Sequence, residues 1–226
     1  LMSIKKKVFS RIRFLFLDYK ILSDLEKIEK STIDLNELVQ WTNTNFRVPA
    51  PQFIKNSIFL KHTSDSTIWI ETGTYKGTST EFLSRNSKFV YTIEPEINIF
   101  NTTKNKLLNK GLSNIEFYNG TSEDVLEKLI TKLDGVKLSI WLDGHFSGGD
   151  TYLGKKSTPI LEELRIIQQN IAKFKEISIL IDDIRDFNQN DKTNQNDYPD
   201  KSEIVKWAIE NGLNWEIQYD ILILSK

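Results

Sequence analysis

Thr67-Ile68-Trp69-Ile70-Glu71-Thr72-Gly73-Thr74-Tyr75-Lys76-Gly77-Thr78-Ser79 is the stretch on which the fold turns. It opens with β-branched and aromatic residues, the composition of a buried strand. Gly73 and Gly77 then permit a sharp turn and a close backbone approach, and a helix is predicted around Ser79–Ser84. The same alternation runs on downstream. Phe89–Ile93 reads as a strand and Ile97–Asn109 as its crossover helix. Ile115–Tyr118 and Ser122–Leu133 form the next such pair. Leu138–Leu142 leads to a helix at Pro159–Asn170, with Ser157 or Thr158 as cap and Pro159 in its first turn. Ile177–Ile181 leads to Glu203–Asn211. Uninterrupted strand–helix alternation predicts an α/β fold, a Rossmann-like doubly wound and mostly parallel sheet. Trp215–Gln218 and Ile221–Leu224 have no helix between them, so they should form a C-terminal antiparallel hairpin.

Residues 3–60 carry no strand signal. Val8, Ile12, Leu15, Leu22, Leu25 and Ile28 recur at helical spacing. A second helix through Leu35, Leu38, Val39 and Trp41 and a third short one through Phe53, Ile54, Ile58 and Leu60 flank the breaks at Pro49 and Pro51. The change of pattern divides the chain into an N-terminal helical cap, 1–62, and an α/β domain, 63–226. Lys5, Lys6, Lys7, Arg11 and Arg13 precede a short apolar run, Phe14–Leu17. The run is too short for a signal peptide, and Asp18-Tyr19-Lys20 follows it. It reads as a helix docked on its own domain or on a second subunit, which would make a homodimer. Contact of this basic helix with a membrane surface is the alternative.

The 226 residues have a formal net charge of −1 and no cysteine. Thiolate metal sites, disulfides and cysteine nucleophiles are excluded. The lack of cysteine fits a reducing, cytoplasmic location. Near-neutral charge means that no global basicity draws the chain to nucleic acid, which argues for no nucleic acid partner. No apolar run is long enough for a transmembrane helix.

Ligands of an open α/β sheet bind beyond the carboxyl ends of its strands. The loop after the first strand breaks the dinucleotide fingerprint: Tyr75 and Thr78 stand where the second and third glycines belong. The loop therefore suits a ligand with no phosphate against the backbone. The second strand ends in Ile93-Glu94-Pro95-Glu96. Glu94 lies about 20 positions beyond the glycine turn, where a carboxylate can accept from both ribose hydroxyls. The third strand ends in Asn119-Gly120-Thr121-Ser122, a helix cap whose hydroxyls would lie beside an adenine; plain N-capping explains them equally well. The fourth strand ends in Leu142-Asp143-Gly144-His145 and the fifth in Ile181-Asp182-Asp183.

Taken in order, Glu71-Thr72-Gly73-Thr74 with Gly77, then Glu94, Gly120-Thr121-Ser122 and Asp143 resemble the motifs of class I S-adenosylmethionine (SAM)-dependent methyltransferases. That family closes its sheet with one reversed strand, and the resemblance covers Thr67 to the C-terminus. It implies methyl transfer with SAM as cofactor. Gly73 and Gly77 would line the methionine and ribose portion, within a binding loop that includes Thr72, Thr74 and Thr78. Glu71 would sit near the amino group. Glu94, with Pro95 beside it, would hold the ribose, and Gly120, Thr121 and Ser122 would flank the adenine, with Asp143 completing the set.

Adjacent carboxylates such as Asp182 and Asp183 repel unless something compensates. A divalent cation would do so, and hard oxygen donors favour Mg²⁺. Helix capping and loop hydrogen bonding are the alternative reading. Asp143, Asp182 and Asp183 resemble the metal set of O-methyltransferases of the catechol and macrolide-sugar types, the macrocin O-methyltransferase-like enzymes. In those families the metal positions and acidifies a substrate hydroxyl. His145, beside Asp143, is then the candidate base; a structural or substrate-binding histidine is the alternative. His62, in the cap, reads as structural. The loops Ser147–Lys156 and Asn188–Asp200 are lid candidates. The acceptor implied by the resemblance is a small hydroxylated molecule: a sugar, a saccharide precursor or a natural product. Two readings compete with it: an NAD(P)-dependent oxidoreductase on the same fold, and a non-catalytic SAM-binding or scaffold domain.

Overall fold

The computed structural model describes residues 30–144, 158–187 and 198–226. Two compact units divide it, 1–53 and 54–226. In the first, residues 30–43 are helical (α1) and close on Trp41, which is buried. Trp41 Nε1 donates to the carbonyl of Arg47 at 2.7 Å, and the Phe46 ring meets the indole edge-on at 5.1 Å. The Val48–Pro49 peptide is cis.

The second unit holds a seven-stranded sheet. Its strands are β1 (Thr67–Thr72), β2 (Phe89–Glu94), β3 (Ile115–Asn119), β4 (Lys137–Leu142), β5 (Glu176–Ile181), β6 (Asn214–Gln218) and β7 (Ile221–Ser225). The spatial order is β3-β2-β1-β4-β5-β7-β6. Every pair from β3 to β5 is parallel. β7 runs antiparallel to both β5 and β6, so it is the one reversed strand. The expected hairpin is present, with its second strand inserted between β5 and β6. Its turn is tight, with Tyr219 at φ 56°. Asp220 fastens it to the end of β5: its carbonyl accepts from Ile184 N at 3.0 Å and its carboxylate from Arg185 N at 3.0 Å.

The helices are α2 (Gln52–Lys61), α3 (Thr78–Asn86), α4 (Ile97–Asn109), α5 (Ser122–Ile130), α6 (Ile160–Asn170) and α7 (Lys201–Glu210). α5 ends three residues before the expected Leu133, where Thr131 turns its hydroxyl back to the Glu127 carbonyl at 2.8 Å. α7 begins two residues before the expected Glu203, because Asp200 caps it by accepting from Ser202 N at 2.8 Å.

Strand alternation sorts the core into two layers. Ile68, Ile70, Leu138, Ile140, Ile177 and Ile179 pack with α5, α6 and α7. Trp69, Val90, Trp141 and Leu180 pack with Ile58 and Phe59 of α2, Leu83 of α3 and Leu107 of α4. The helices that follow β1 and β4 therefore leave on opposite faces, which puts the switch point between those two central strands. From Ile54 onward, α2 belongs to the sheet's own unit. The Phe59 ring has no exposure and meets Trp69 at 5.6 Å and Trp141 at 4.8 Å, both edge-on.

Phe59→Ala should therefore destabilise the chain by about 3–5 kcal/mol in urea unfolding, the penalty of an aromatic cavity in a packed core. A loss below about 1 kcal/mol would show that α2 is not part of that core.

Candidate functional site

The register levels the strand ends. Thr72 pairs with Ile93 on one side and Leu142 on the other, and Leu142 pairs with Ile181. The ladder runs one residue further: Asp143 N donates to Thr72 O at 3.2 Å, and Asp182 N to Leu142 O at 3.1 Å. Gly73, Glu94, Asp143 and Asp182 consequently leave the sheet along one rim, astride the switch point.

The β1–α3 loop is held mainly by bonds from its backbone N–H groups to β2. Gly73 N and Thr74 N both donate to Ile93 O, at 3.0 and 3.1 Å, and Gly77 N donates to Thr74 O at 2.8 Å. Both glycines have positive φ, 89° and 74°. A Cβ on Gly73 would lie 2.5 Å from the Asp143 carbonyl oxygen, so glycine is required for β1 and β4 to meet at the rim. A Cβ on Gly77 would strike Thr103 and Leu107 of α4 at 2.7 and 2.9 Å, so this glycine serves helix packing. Tyr75 is half exposed at φ 45°, a strained backbone for a bulky residue.

Glu94 closes over this loop. Its Oε2 accepts from Tyr75 N at 2.8 Å and its Oε1 from Glu96 N at 3.0 Å. Each oxygen retains a second lone pair. Burial pushes its pKa above the usual carboxylate value, with the two backbone N–H groups opposing. Glu71 lies below the rim, fully buried on the α3 face. Its Oε2 accepts from Thr80 Oγ1 at 2.5 Å and Thr92 Oγ1 at 2.7 Å, while Oε1 is buried with no hydrogen-bond partner among the described residues. Desolvation pushes its pKa up to about 7.

At the third strand end, Gly120 N donates to Glu94 O at 3.2 Å and Asn119 Nδ2 donates to the same carbonyl at 2.8 Å. These bonds draw the β3–α5 turn against Glu94 and Pro95. Thr121 occupies the N-cap position of α5, and its hydroxyl donates to Asp124 Oδ2 at 3.0 Å; Ser122 is buried. Thr72 and Thr74 are buried too, the latter with its hydroxyl 2.6 Å from Thr92 Oγ1. Thr78, at the start of α3, is exposed.

Asp143, Asp182 and Asp183 form the other half of the rim, each with an oxygen within 4.8 Å of the others. Asp182 is 1% exposed. Its Oδ2 is bonded by Lys55 Nζ from α2, and its Oδ1 is buried with no hydrogen-bond partner among the described residues. Burial alone would lower the Lys55 pKa; Asp182, Asp143 and Asp183 outweigh it and leave the ammonium raised. Burial raises Asp182, with Lys55 opposing. Asp183 adopts φ 51° and accepts from Arg185 Nη1 at 2.6 Å; the same guanidinium bonds Asp220. Tyr198 is buried near this cluster. Desolvation raises its hydroxyl pKa, and Asp186, Asp183 and Asp143 raise it further.

Lys55, Arg185, Asp220 and Tyr198 were missed as site residues by sequence reasoning. Lys55 carries no local motif, and its partner is 127 residues away. His145 and both expected lid loops, apart from residues 198–200, lie outside the described residues. His62 sits well below the rim, with Nδ1 3.0 Å from Ser178 Oγ on β5.

No family model matches the sequence, and no curated protein matches it. Solved structures with a similar chain path include an rRNA methylase from Streptococcus thermophilus, at 16% identity over 79% of this chain and 96% of that one, TM-score 0.46. Precorrin-6y C5,15-methyltransferase from Geobacter metallireducens matches at 12% identity, over 76% and 85% of the two chains, TM-score 0.49. Fibrillarin from Aeropyrum pernix, with natively bound S-adenosyl-L-methionine, matches at 15% identity, over 73% and 67%, TM-score 0.44.

The buried Glu71 carboxyl sets a pH dependence. Its folded pKa, about 7, exceeds the ordinary 4.5, so the folded chain holds the extra proton between those values. Its contribution to stability is then present below the unfolded pKa and lost as pH rises through 7. Glu71→Gln should raise stability at pH 8 relative to wild type, by on the order of 2–3 kcal/mol, and leave it nearly unchanged at pH 4.5. Parallel melting curves of wild type and variant at the two pH values would refute this.

Proposed function

We propose that this chain is an enzyme that binds SAM along the rim between β1, β2 and β4 and transfers its methyl group to an oxygen of a small hydroxylated acceptor. The observation that carries this is the Glu94 carboxylate. It is fixed by two backbone N–H groups beside a loop whose own N–H groups are largely consumed, and it keeps one lone pair on each oxygen. Two acceptors side by side match a ribose diol. The single reversed strand, β7, is the one the resemblance implied.

The same loop weighs against a dinucleotide. The N–H groups of Gly73, Thr74, Tyr75 and Gly77 are already bonded, so they cannot cradle a pyrophosphate. A nucleoside that carries a sulfonium and an amino acid asks for no such cradle.

Methyl transfer from a sulfonium needs an in-line approach, a deprotonated nucleophile and exclusion of water. Gly73 supplies the close approach of β1 to β4, Glu94 the ribose contact, and Gly120, Thr121 and Ser122 the edge for the adenine. Glu71 acts through the loop it underlies. Asp143 and His145 are proposed to serve the acceptor, with His145 as the base. A sugar, a saccharide precursor or a natural product is the proposed acceptor class.

The expected Mg²⁺ would lie on Asp143, Asp182 and Asp183. Their oxygens are close enough, and Asp182 Oδ1 lacks a hydrogen-bond partner among the described residues, but Lys55 already holds Asp182 Oδ2 and Arg185 holds Asp183. The residues do not fit a divalent ion while Lys55 is in place, and no step above uses one.

Calorimetric titration with S-adenosylhomocysteine should give one site per chain. Glu94→Gln should weaken it about ten- to hundredfold, the loss of hydrogen bonds to a charged acceptor. Gly73→Ala should abolish binding by forcing β1 and β4 apart, whereas Gly111→Ala, which has open space around its Cβ and strains only its own backbone at φ 76°, should cost some stability and leave binding intact. No heat from S-adenosylhomocysteine, with protection by NAD in its place, would overturn the proposal.

A further inference from the structure

We infer that Lys55 is the resident cation of the Asp143–Asp182–Asp183 cluster, and that its ammonium holds the place a divalent metal would otherwise take. Three carboxylates converge with oxygens within 4.8 Å, the spacing of a cation site. The deepest of them, Asp182, has 2% of its side chain exposed, and a lone buried carboxylate is strongly disfavoured without a counter-charge. The chain delivers that counter-charge from α2. The Lys55 side chain is 16% exposed, and its Nζ lies 5.6 Å from the centre of the Trp141 ring, so the ammonium is fixed from two sides.

A second cation lies beside the cluster. Arg185 pairs with Asp183 and shares its guanidinium with Asp220. A divalent ion placed among these oxygens would sit next to the ammonium and be repelled by it. The site can hold the metal or the lysine, and α2 is anchored in the core by Ile58 and Phe59 three and four residues further on. Lysine wins by tethering. Its consequence for catalysis rests on the methyl-transfer reading: the acceptor's proton would be removed by protein groups alone, and Lys55 would act as a positioning residue for Asp182 and Asp143. The cation site itself does not need that reading.

The test uses Mn²⁺ alone, followed by electron paramagnetic resonance of the free ion, on the full chain without cofactor. Wild type should bind no Mn²⁺ at this site. Lys55→Met should gain one Mn²⁺, at least about tenfold tighter than any wild-type binding, and Asp182→Asn in the Lys55→Met background should remove it. Lys55→Gln is the second variant in case Lys55→Met is too unstable; its melting temperature should rise with Mn²⁺ while that of wild type does not. Stoichiometric Mn²⁺ on wild type that Asp182→Asn abolishes would overturn the inference. So would a folded Lys55→Met or Lys55→Gln chain that binds Mn²⁺ no better than wild type. S-adenosylhomocysteine titrated into the same samples reports separately on the methyl-transfer reading.

Discussion

The central constraint is the contact between β1 and β4. Asp143 N reaches Thr72 O, and Gly73 leaves open the space its Cβ would take from the Asp143 carbonyl. Two parallel strands whose helices depart on opposite faces open a crevice at their carboxyl ends. Because the ladder stays in register through that contact, β2 and β5 end at the same level, and Glu94 and Asp182 arrive with them. A shift of one residue would turn each of these carboxylates to the other face of the sheet.

The rim that results has two halves with different electrostatics. On the β2 side, no cation among the described residues pairs with Glu94; backbone N–H groups hold it and leave acceptor capacity. On the β5 side, carboxylates crowd together, and two of them pair with Lys55 and Arg185. The first half is built to receive hydroxyl donors. In the second, ion pairs occupy Asp182 Oδ2 and Asp183. That asymmetry divides the labour proposed here between cofactor and acceptor.

The strands and crossover helices were legible in the sequence because each is a local pattern: an apolar run, a glycine turn, a cap. The reversed hairpin followed from the missing crossover between Trp215 and Leu224. Glu94 and the three aspartates could be read as strand-end residues for the same reason. The ion pairs could not. Lys55 lies on a helix read as part of the cap, and its meeting with Asp182 depends on how α2 packs, which no local pattern encodes. The depth of Glu71 was hidden as well. Its place at the end of a strand suggested the rim, but alternation with Trp69 turns it beneath the loop toward Thr80. Gly77 illustrates the converse: a glycine read as a ligand contact has a packing reason, since α4 leaves no room for a Cβ.

The most direct measurement is a crystal structure with S-adenosylhomocysteine bound. The account predicts the ribose hydroxyls on the Glu94 carboxylate, the adenine beside Gly120–Ser122 and the sulfur above Gly73, between the ends of β1 and β4. Density for the ligand elsewhere on the chain, with Glu94 still engaged only by Tyr75 and Glu96, would contradict it.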